Sequence, residues 1–600
     1  MGLLTDPSGD QRGIIWFASL ASPLFNASTY FSENALLPGL VKSTFKEDRF
    51  ALQYFQELQD ETQKHESSIP YSWLLAKFRQ IGLDSYTHDF TLHSPLNPND
   101  TYYGKNVYGI LRAPRASSTE ALVLSVPYRP PKSIYPSTLP SIAIQLAFAK
   151  FAAKEKYWAK DIIFLITDHE QLGIQAWLEA YHGVTCGNEG TLNHGTLKGR
   201  AGAIQAAINL ELHSVKIGQI DIKIEGLNGQ LPNLDLFNLA GKICIKEGVF
   251  HTFKGKTPKY FRDPYKEWLY SFKNMLNMVS TQATGVPNGN HGLFLRFGIQ
   301  ALTLEGFEQG KAGSRSGFLS IGRVIEGIFR SINNLLERFH QSFFFYILPS
   351  HDRYISIGLY MPAVCMIAAA LIIKACAKWC KMQENHTEIR YIKVVIQFIV
   401  MHCIGATVMV FPELVKALNS DVSSTVSYGL PSVLVGSLLI PFLLKSVNHS
   451  EGSLNLLCIF GLLELGTALI CLSMNNISLG IFCGTISVPF ALIAEPTKNR
   501  IFKIVQALFW CLIHPLSILF FVVSINTFLM FHQENITEFV FRALDATKQA
   551  VIYSIADSMI YGNWLYTVVS TIFIPNWLCF WNVICSDFKR HNVNVAKKNN

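Results

Sequence analysis

The sequence is poor in charged residues. Asp, Glu, Lys and Arg make up 16% of its 600 residues, and the mean hydropathy is +0.23. Values of this kind exclude a typical soluble protein. The formal net charge of +8 comes mostly from loops between apolar stretches near the C-terminus, so it does not indicate nucleic-acid binding.

Cysteine is scarce in the first 350 residues. Ten of the 12 cysteines lie in or beside apolar stretches beyond Tyr354, where they behave as small apolar residues. Only Cys186 and Cys244 precede those stretches. A disulfide between the two is compatible with an oxidising compartment, but their spacing leaves the pairing open.

Long apolar runs are abundant in the last 250 residues. Most of them have the roughly 20 apolar residues that cross about 30 Å of hydrocarbon, and one, Leu479–Ala494, is shorter. A buried core helix is the alternative for any single run, but seven in series predict an all-α polytopic membrane domain over residues 351–588. The seven runs are Tyr354–Ile373, Tyr391–Phe411, Ser427–Leu444, Ser453–Met474, Leu479–Ala494, Val505–Met530 and Asn563–Cys585.

Basic residues are unevenly divided between the loops that join these runs. Alternate loops and the C-terminal tail carry about 13 of them, whereas the remaining loops carry only Lys416, Arg542 and Lys548. The basic-rich side is expected to be cytosolic, which places residues 30–350 in a lumen or outside the cell. Four glycosylation sequons would share that side, and those at Asn385 and Asn448 would be cytosolic and unused. The four are Asn26, Asn99, Asn476 and Asn535.

The two ends of the chain suggest how it is targeted and held. Residues 589–600 form a predicted cytosolic tail ending Lys597-Lys598-Asn599-Asn600, which matches a dilysine signal for the endoplasmic reticulum. An ordinary basic tail is the alternative. Residues 1–29 form a predicted membrane-associated segment, in which Gly13–Phe25 is apolar for about 20 Å of helix. It fits a signal-like region, an interfacial helix or the remnant of a membrane segment.

Residues 30–350 predict an α/β domain with a mixed sheet flanked by helices, because strand-like and helix-like segments alternate. The continuous apolar run Asp161–Thr167 is typical of a buried parallel strand. Further strands are predicted at Asn106–Arg112, Ala121–Pro127, Arg200–Leu212, Asp221–Glu225 and Gln300–Leu304. Helices are predicted at Glu47–Gly82, Ser141–Ala153, Gly173–Tyr181, Asp235–Glu247, Tyr265–Thr281 and Phe318–Phe339.

Carboxylates and imidazoles follow several of these strands, which suggests a metal site. Loop residues that cap helices and make hydrogen bonds are the alternative. Their order resembles the zinc aminopeptidase family with two co-catalytic metals, but Pro127 stands for the first His, residues 137–141 contain no bridging Asp, and Thr167 replaces the general base. The resemblance therefore implies a degenerate site of Asp168, Glu211 and His291 without peptidase chemistry, leaving one weak metal on Asp168 and His291 as an alternative.

A closer resemblance covers nearly the whole chain. Long strings are similar to the glycosylphosphatidylinositol (GPI) anchor attachment protein family, although Gly13–Phe25 is shorter than the first membrane helix of that family. The strings are residues 29–35 (TYFSENA), 106–115 (NVYGILRAPR), 157–161 (YWAKD), 226–235 (GLNGQLPNLD), 290–296 (NHGLFLR) and 335–344 (LLERFHQSFF). The resemblance implies an aminopeptidase-like luminal domain on a multi-helix membrane domain, in a non-catalytic subunit of the GPI transamidase. A separate cysteine-protease-like subunit would perform the reaction.

Two segments of the predicted luminal domain are candidates for the head group of a GPI lipid. One directly follows the N-terminal apolar stretch and the other directly precedes the first long run, so both are expected at the luminal membrane surface. The first segment is Tyr30–Asn34 and the second is His340–Ser342. The candidate residues are Tyr30, Ser32, His340, Gln341 and Ser342. Their side chains offer hydrogen bonds to phosphate and sugar, and Gln341 offers an oxygen to a magnesium ion shared with the phosphate. No cofactor is expected for the transamidation chemistry itself. The alternative role for the two segments is that they only anchor the chain at the membrane interface.

Two other functions fit parts of the sequence. A membrane-bound zinc metallopeptidase would need the ligands that are missing. A transporter would be favoured by charges within the membrane runs, which contain little beyond Glu464 and the boundary residue Glu413.

Overall fold

The computed structural model describes residues 9–64, 68–97, 99–115, 119–130, 133–257, 261–309, 315–418, 421–443, 449–531 and 535–589. The dilysine tail and the sequon at Asn448 lie outside these residues. The chain divides into two compact units. The first is an α/β unit built from Ser19–His93 and Thr101–Leu359, and the second contains the helices that follow Tyr360.

Nine strands of the α/β unit form one mixed sheet in the order β6-β2-β3-β5-β4-β7-β10-β8-β9. At its centre β4 is parallel to both β5 and β7, and β7 is parallel to β10. Every residue of β5 is buried, as expected for a strand covered on both faces. The strands are β2 (Asp84–His93), β3 (Thr101–Leu111), β4 (Glu120–Pro127), β5 (Asp161–Thr167), β6 (Leu192–Asn193), β7 (Ala203–Leu212), β8 (Gln219–Lys223), β9 (His251–Thr252) and β10 (Gln300–Phe307).

A second, three-stranded sheet joins the two ends of the same unit. Its strands are β1 (Ala27–Ser28), β11 (Tyr346–Ser350) and β12 (Arg353–Ser356), in the order β1-β12-β11. The sequence predicted a membrane run from Tyr354, and this is wrong at its start, because Tyr354 is a buried strand residue and the helix begins at Ile357.

Eight helices flank the large sheet among the described residues. They are α2 (Asp48–Lys64), α3 (Tyr71–Ile81), α4 (Leu139–Lys154), α5 (Gln171–His182), α6 (Leu234–Lys246), α7 (Pro264–Ala283), α8 (His291–Arg296) and α9 (Phe318–Asn333). The mixed sheet flanked by helices confirms the predicted α/β class. The single helix predicted over Glu47–Gly82 is wrong, because Pro70 begins a second helix there. Cys186 and Cys244 are unpaired thiols, and Cys244 is fully buried.

The second unit is helical. Its elements are α1 (Gly9–Ser19), α10 (Ile357–Glu384), α11 (Tyr391–Ala417), α12 (Val422–Leu443), β13 (His449–Ser450), α13 (Glu451–Asn475), α14 (Ile477–Ile493), α15 (Arg500–Leu512), α16 (Pro515–Met530), α17 (Ile536–Tyr561), α18 (Leu565–Val568), α19 (Ile574–Cys585) and β14 (Phe588–Lys589). A π-helical turn, Val569–Phe573, joins α18 to α19.

All seven predicted apolar runs are mainly helical, but the number of spans is smaller than seven. Among the described residues, five helical segments are long and apolar enough to cross a membrane, and the last of them runs through α18 and α19 from Leu565 to Cys585. The pair α15 and α16 is bent by 59° and makes a sixth if it counts as one span, whereas α14 is a shorter apolar helix. The predicted all-α polytopic domain is confirmed, with five or six candidate spans among the described residues instead of seven.

Two further helices differ from what the sequence predicted. Helix α1 ends at Ser19, before the end of the apolar stretch Gly13–Phe25. A Cβ placed on Gly13 would come within 2.6 Å of the Ala363 main-chain oxygen. Glycine thus lets α1 pack closely against α10. Helix α17 was not predicted, since its charged residues, including Arg542 and Lys548, conceal its apolar face.

The four sequons expected on the luminal side differ in exposure. The Asn26 amide donates two 3.0 Å hydrogen bonds to the main-chain oxygens of Leu20 and Ser22 and is buried. Asn476 is also buried and caps α14 by accepting from the main-chain nitrogen of Leu479. Asn99 and Asn535 are the two whose side chains are exposed.

Candidate functional site

Two of the three predicted peptidase residues, Asp168 and Glu211, lie at one edge of the large sheet, where β5 and β7 end, whereas His291 begins α8. Because β5, β4, β7 and β10 are adjacent and parallel, their carboxyl ends meet there. In register, Pro127 lies beside Thr167, and Glu211 lies beside Glu305.

Arg129 places a fixed cation at this edge. Its guanidinium forms a fork with Glu170 (Nε–Oε1 2.5 Å and Nη2–Oε2 2.9 Å), and Nη2 also lies 2.9 Å from Oε2 of Glu211. Burial opposes the charge, but the bonds to Glu170 and Glu211 outweigh it and raise the pKa of Arg129. The side chain is 11% exposed, so the positive charge is held permanently inside the protein.

A second cation lies beside the neighbouring carboxylate. Nζ of Lys223 lies 2.7 Å from Oε2 of Glu305, and Nε2 of His213 lies 3.2 Å from Oε1 of the same residue. Burial opposes ionisation of Glu305, and the bonds to His213 and Lys223 outweigh it and lower its pKa.

Glu211, His213 and Glu305 are the group of potential metal ligands found in the described part of the chain, with donor atoms within 4.8 Å of one another. Arg129 and Lys223 already neutralise the two carboxylates of this group. A divalent cation would therefore meet two fixed positive charges within the set of donors, and the arrangement does not favour metal binding.

The other two predicted peptidase residues have separate partners. Asp168 accepts from the main-chain nitrogens of Lys105 and His169 at 3.3 and 3.0 Å. Nδ1 of His291 lies 2.8 Å from Oγ1 of Thr303, and burial lowers the pKa of His291 to about 3, so its imidazole is neutral. Glu211 is paired with Arg129 instead. The sequence predicted no role for Arg129, Lys223 or Glu305, although Arg129 lies only two residues after Pro127, which stands for the first metal ligand.

The structure brings the two predicted head-group segments together through Glu33. This buried carboxylate accepts, at Oε1, the main-chain N–H groups of His340 (2.7 Å) and Gln341 (2.8 Å). One side chain of the first segment therefore holds the backbone of the second.

Asp235, at the start of α6, holds the first segment from the other side. Its Oδ2 accepts from the main-chain nitrogens of Ser32 (2.9 Å) and Glu33 (2.7 Å), and Ser342 is a further hydrogen-bonding partner. Burial raises the pKa of Asp235, and these hydrogen bonds act in the opposite direction. We refer to Glu33 and Asp235 together as the carboxylate clamp. The sequence placed Glu33 within the first candidate segment but predicted no role for it or for Asp235, because no local motif indicates their contacts.

Three of the predicted side chains remain accessible on this clamp. Tyr30 is 53% exposed, with its ring 6.3 Å from that of Tyr354, and its main-chain oxygen accepts from Asn238. His340 and Gln341 are exposed. The result is a surface of polar side chains on a buried, hydrogen-bonded support.

The family comparison matches most of this chain. The model described as "Gaa1-like, GPI transamidase component" matches residues 103–581. GPI transamidase component GAA1 of Saccharomyces cerevisiae is 31% identical over 358 residues, which are 58% of this chain and 52% of the relative. GPI transamidase component gaa1 of Schizosaccharomyces pombe is 30% identical over 381 residues, 62% of this chain and 64% of the relative. The chain thus spans between about half and two thirds of the length of these curated relatives.

Solved structures give weaker similarities. The glutaminyl cyclase of Porphyromonas gingivalis is 12% identical with a TM-score of 0.31, covering 48% of this chain and 99% of its own. A Zn-dependent exopeptidase from Parabacteroides distasonis is 11% identical with a TM-score of 0.26, and the match covers 48% of this chain and 98% of the exopeptidase. TM-scores this low support no inference about this chain from either structure. Because the family model matches residues 103–581 of 600, the chain belongs to the Gaa1-like family of GPI transamidase components.

Proposed function

We propose that this chain is a non-catalytic subunit of the GPI transamidase complex in the endoplasmic reticulum membrane. It would bind and present the GPI lipid while a cysteine-protease-like partner subunit cleaves the protein substrate and transfers it to the lipid. The observation that carries the proposal is the family match over residues 103–581.

The degenerate sheet edge supports a non-catalytic role. Arg129 and Lys223 neutralise the carboxylates of the candidate metal group, and Thr167 offers no general base where the resemblance would require one. The purified chain is therefore expected to show no aminopeptidase activity with added zinc or cobalt. Metal-dependent hydrolysis that is lost in His291→Ala would contradict this.

The lipid head group would bind on the surface held by the carboxylate clamp. Tyr30, Ser32, His340, Gln341 and Ser342 would provide hydrogen bonds to phosphate and sugar hydroxyls. The exposed Gln341 offers an amide oxygen of the kind that magnesium accepts when it shares a phosphate. This chain would thus hold the lipid head group at a fixed place without taking part in bond cleavage.

The test replaces two exposed side chains and leaves the clamp intact. Tyr30→Ala with Gln341→Ala, expressed in cells that lack the native protein, should lower surface GPI-anchored proteins severalfold while the complex assembles normally. A matched control is Tyr265→Ala with Gln63→Ala, since both residues are exposed elsewhere on the α/β unit. Normal surface levels in the first variant, with normal assembly, would exclude this head-group site.

The proposed orientation follows from the basic loops. The α/β unit would lie in the lumen and the C-terminus in the cytosol, where Lys597 and Lys598 would be read as a retrieval signal. This arrangement would place the clamp surface on the same side of the membrane as the GPI head group.

A further inference from the structure

Three polar side chains meet near the middle of three predicted spans. His402 lies near the centre of α11, Glu464 near the centre of α13, and Asn576 near the centre of the span from Leu565 to Cys585. Polar and ionisable groups at this depth are costly and are usually functional. None of the three belongs to the site described above.

Glu464 is the centre of this polar cluster. Its Oε1 lies 2.8 Å from Nε2 of His402, and its Oε2 accepts from Nδ2 of Asn576 at 3.0 Å. Asn576 also donates to the main-chain oxygen of Gly461 at 2.9 Å. The cluster therefore joins three spans by hydrogen bonds.

Both ring nitrogens of His402 have partners. Nδ1 lies 2.9 Å from the main-chain oxygen of Phe398 on its own helix, and Nε2 faces Glu464 of α13. The imidazole is thus held between two helices.

The cluster is open on one side. Asn576 is buried, but the side chain of His402 is 33% exposed and that of Glu464 is 17% exposed. Hydrocarbon provides no hydrogen-bonding partner for such groups, so leaving them against lipid tails is unfavourable. The opening therefore indicates a surface that another molecule covers.

Small exposed residues lie one or two helical turns after His402 and Glu464. Ala406 lies one turn after His402, Thr467 lies about one turn after Glu464, and Cys471 lies one turn beyond Thr467; all three are exposed. Small residues let a second helix approach closely within a membrane. Exposed apolar residues, Ile399 and Leu463, complete the surface.

We propose that this surface docks a transmembrane helix of another subunit, which presents a neutral hydrogen-bonding side chain (Ser, Thr, Asn or Gln) at mid-membrane depth. The depth of the cluster favours an uncharged partner over Lys or Arg, because a charged side chain near the centre of the bilayer is costly. The small residues fit a helix, and the depth fits a side chain that finds its partner within the bilayer. The inference rests on the proposed function, since it requires membership of a membrane complex.

The first test fills the opening without removing a hydrogen bond among His402, Glu464 and Asn576, because the Thr467 hydroxyl donates to the main-chain oxygens of Leu463 and Glu464 on its own helix. Thr467→Trp should reduce co-purification of other membrane subunits in mild detergent by roughly threefold or more, the effect of losing one interhelical contact. Val400→Trp is the matched control, because Val400 is exposed and lies about 200° around α11 from His402. Equal co-purification of the parent and Thr467→Trp would overturn the inference.

A second measurement identifies the neighbour of position 467 directly. A photo-cross-linking amino acid at position 467 should join this chain to a peptide from a transmembrane helix of another subunit, identified by mass spectrometry. Adducts to lipid alone would overturn the inference. If the parent chain brings no membrane subunit at all, the proposed function fails and this inference fails with it; if only the cross-link and the Trp effect are absent, the proposed function stands.

Discussion

At the scale of single residues, Arg129 has the largest electrostatic role at the sheet edge. It bonds to two carboxylates, and one of them, Glu211, is almost completely buried. A buried carboxylate that loses its cation keeps the cost of desolvation without compensation. The guanidinium thus stabilises an acidic edge that a metal stabilises in a metallopeptidase.

Replacing Arg129 should destabilise the α/β unit more than replacing a surface cation. Arg129→Ala is expected to lower the free energy of unfolding by about 3–5 kcal/mol. Lys154→Ala is the control, because Lys154 is 57% exposed in its pair with Glu47, and it should cost less than about 1 kcal/mol. Denaturant titration followed by tryptophan fluorescence measures both. Equal losses of unfolding free energy in the two variants would mean that the ion pairs of Arg129 stabilise the protein no more than an exposed ion pair does.

At the scale of elements, how well the sequence predicted each segment depended on its pattern. The strand Asp161–Thr167 was predicted with its observed bounds, because a continuous apolar run has few other structures. The strand Asp84–His93 was missed, since it is rich in polar residues and only partly buried. Helix α17 was missed for a similar reason, because its five acidic and basic residues between Glu538 and Asp557 resemble a loop.

The candidate site shows a different limit. The sequence predicted both head-group segments, but it could not predict the clamp that joins them. Glu33 contacts His340 across 307 positions, and Ser32 contacts Asp235 across 203. Contacts of this length depend on the whole fold and leave no local periodicity.

The clamp should hold the second segment through its hydrogen bonds rather than its charge. Glu33→Ala removes the acceptor of two main-chain N–H groups, so the amides of His340 and Gln341 should exchange with solvent at least about tenfold faster. Glu33→Gln keeps a carbonyl oxygen at this place and should exchange much more slowly than Glu33→Ala. Hydrogen exchange read by mass spectrometry distinguishes the two. Identical exchange in Glu33→Ala and the parent would mean that other contacts hold the segment.

At the scale of the whole molecule, the proposed orientation decides which groups would meet the proposed lipid. Replacing Lys597 and Lys598 by serine should let part of the protein escape to later compartments, because a cytosolic retrieval signal would be lost. Glycan processing and microscopy measure the escape, and assembly with partners is expected to limit it. A tail that is protected from added protease in sealed microsomes would contradict the proposed orientation.

Stability of the α/β unit should also depend on pH, because it buries histidines in their neutral form. Burial, together with the smaller effect of His351, whose ring lies 5.7 Å away, lowers the pKa of His251 to about 4. Between pH 6.5 and about 4 the unfolded chain binds a proton at His251 that the folded chain does not, so this contribution to stability is lost as the pH falls. Buried carboxyl groups with raised pKa values, such as Asp221 and Asp235, act in the opposite direction.

The difference between a variant and the parent isolates the histidine from those carboxyl groups. His251→Asn should make the free energy of unfolding less dependent on pH by about 1.4 kcal/mol per pH unit within that window, or about 3 kcal/mol in total. His93→Asn is the control, because His93 is exposed, and it should follow the parent. Denaturant titrations at pH 7, 6, 5 and 4 measure the three curves. A parallel curve for His251→Asn would show that His251 is protonated in the folded protein and that its burial does not exclude the charge.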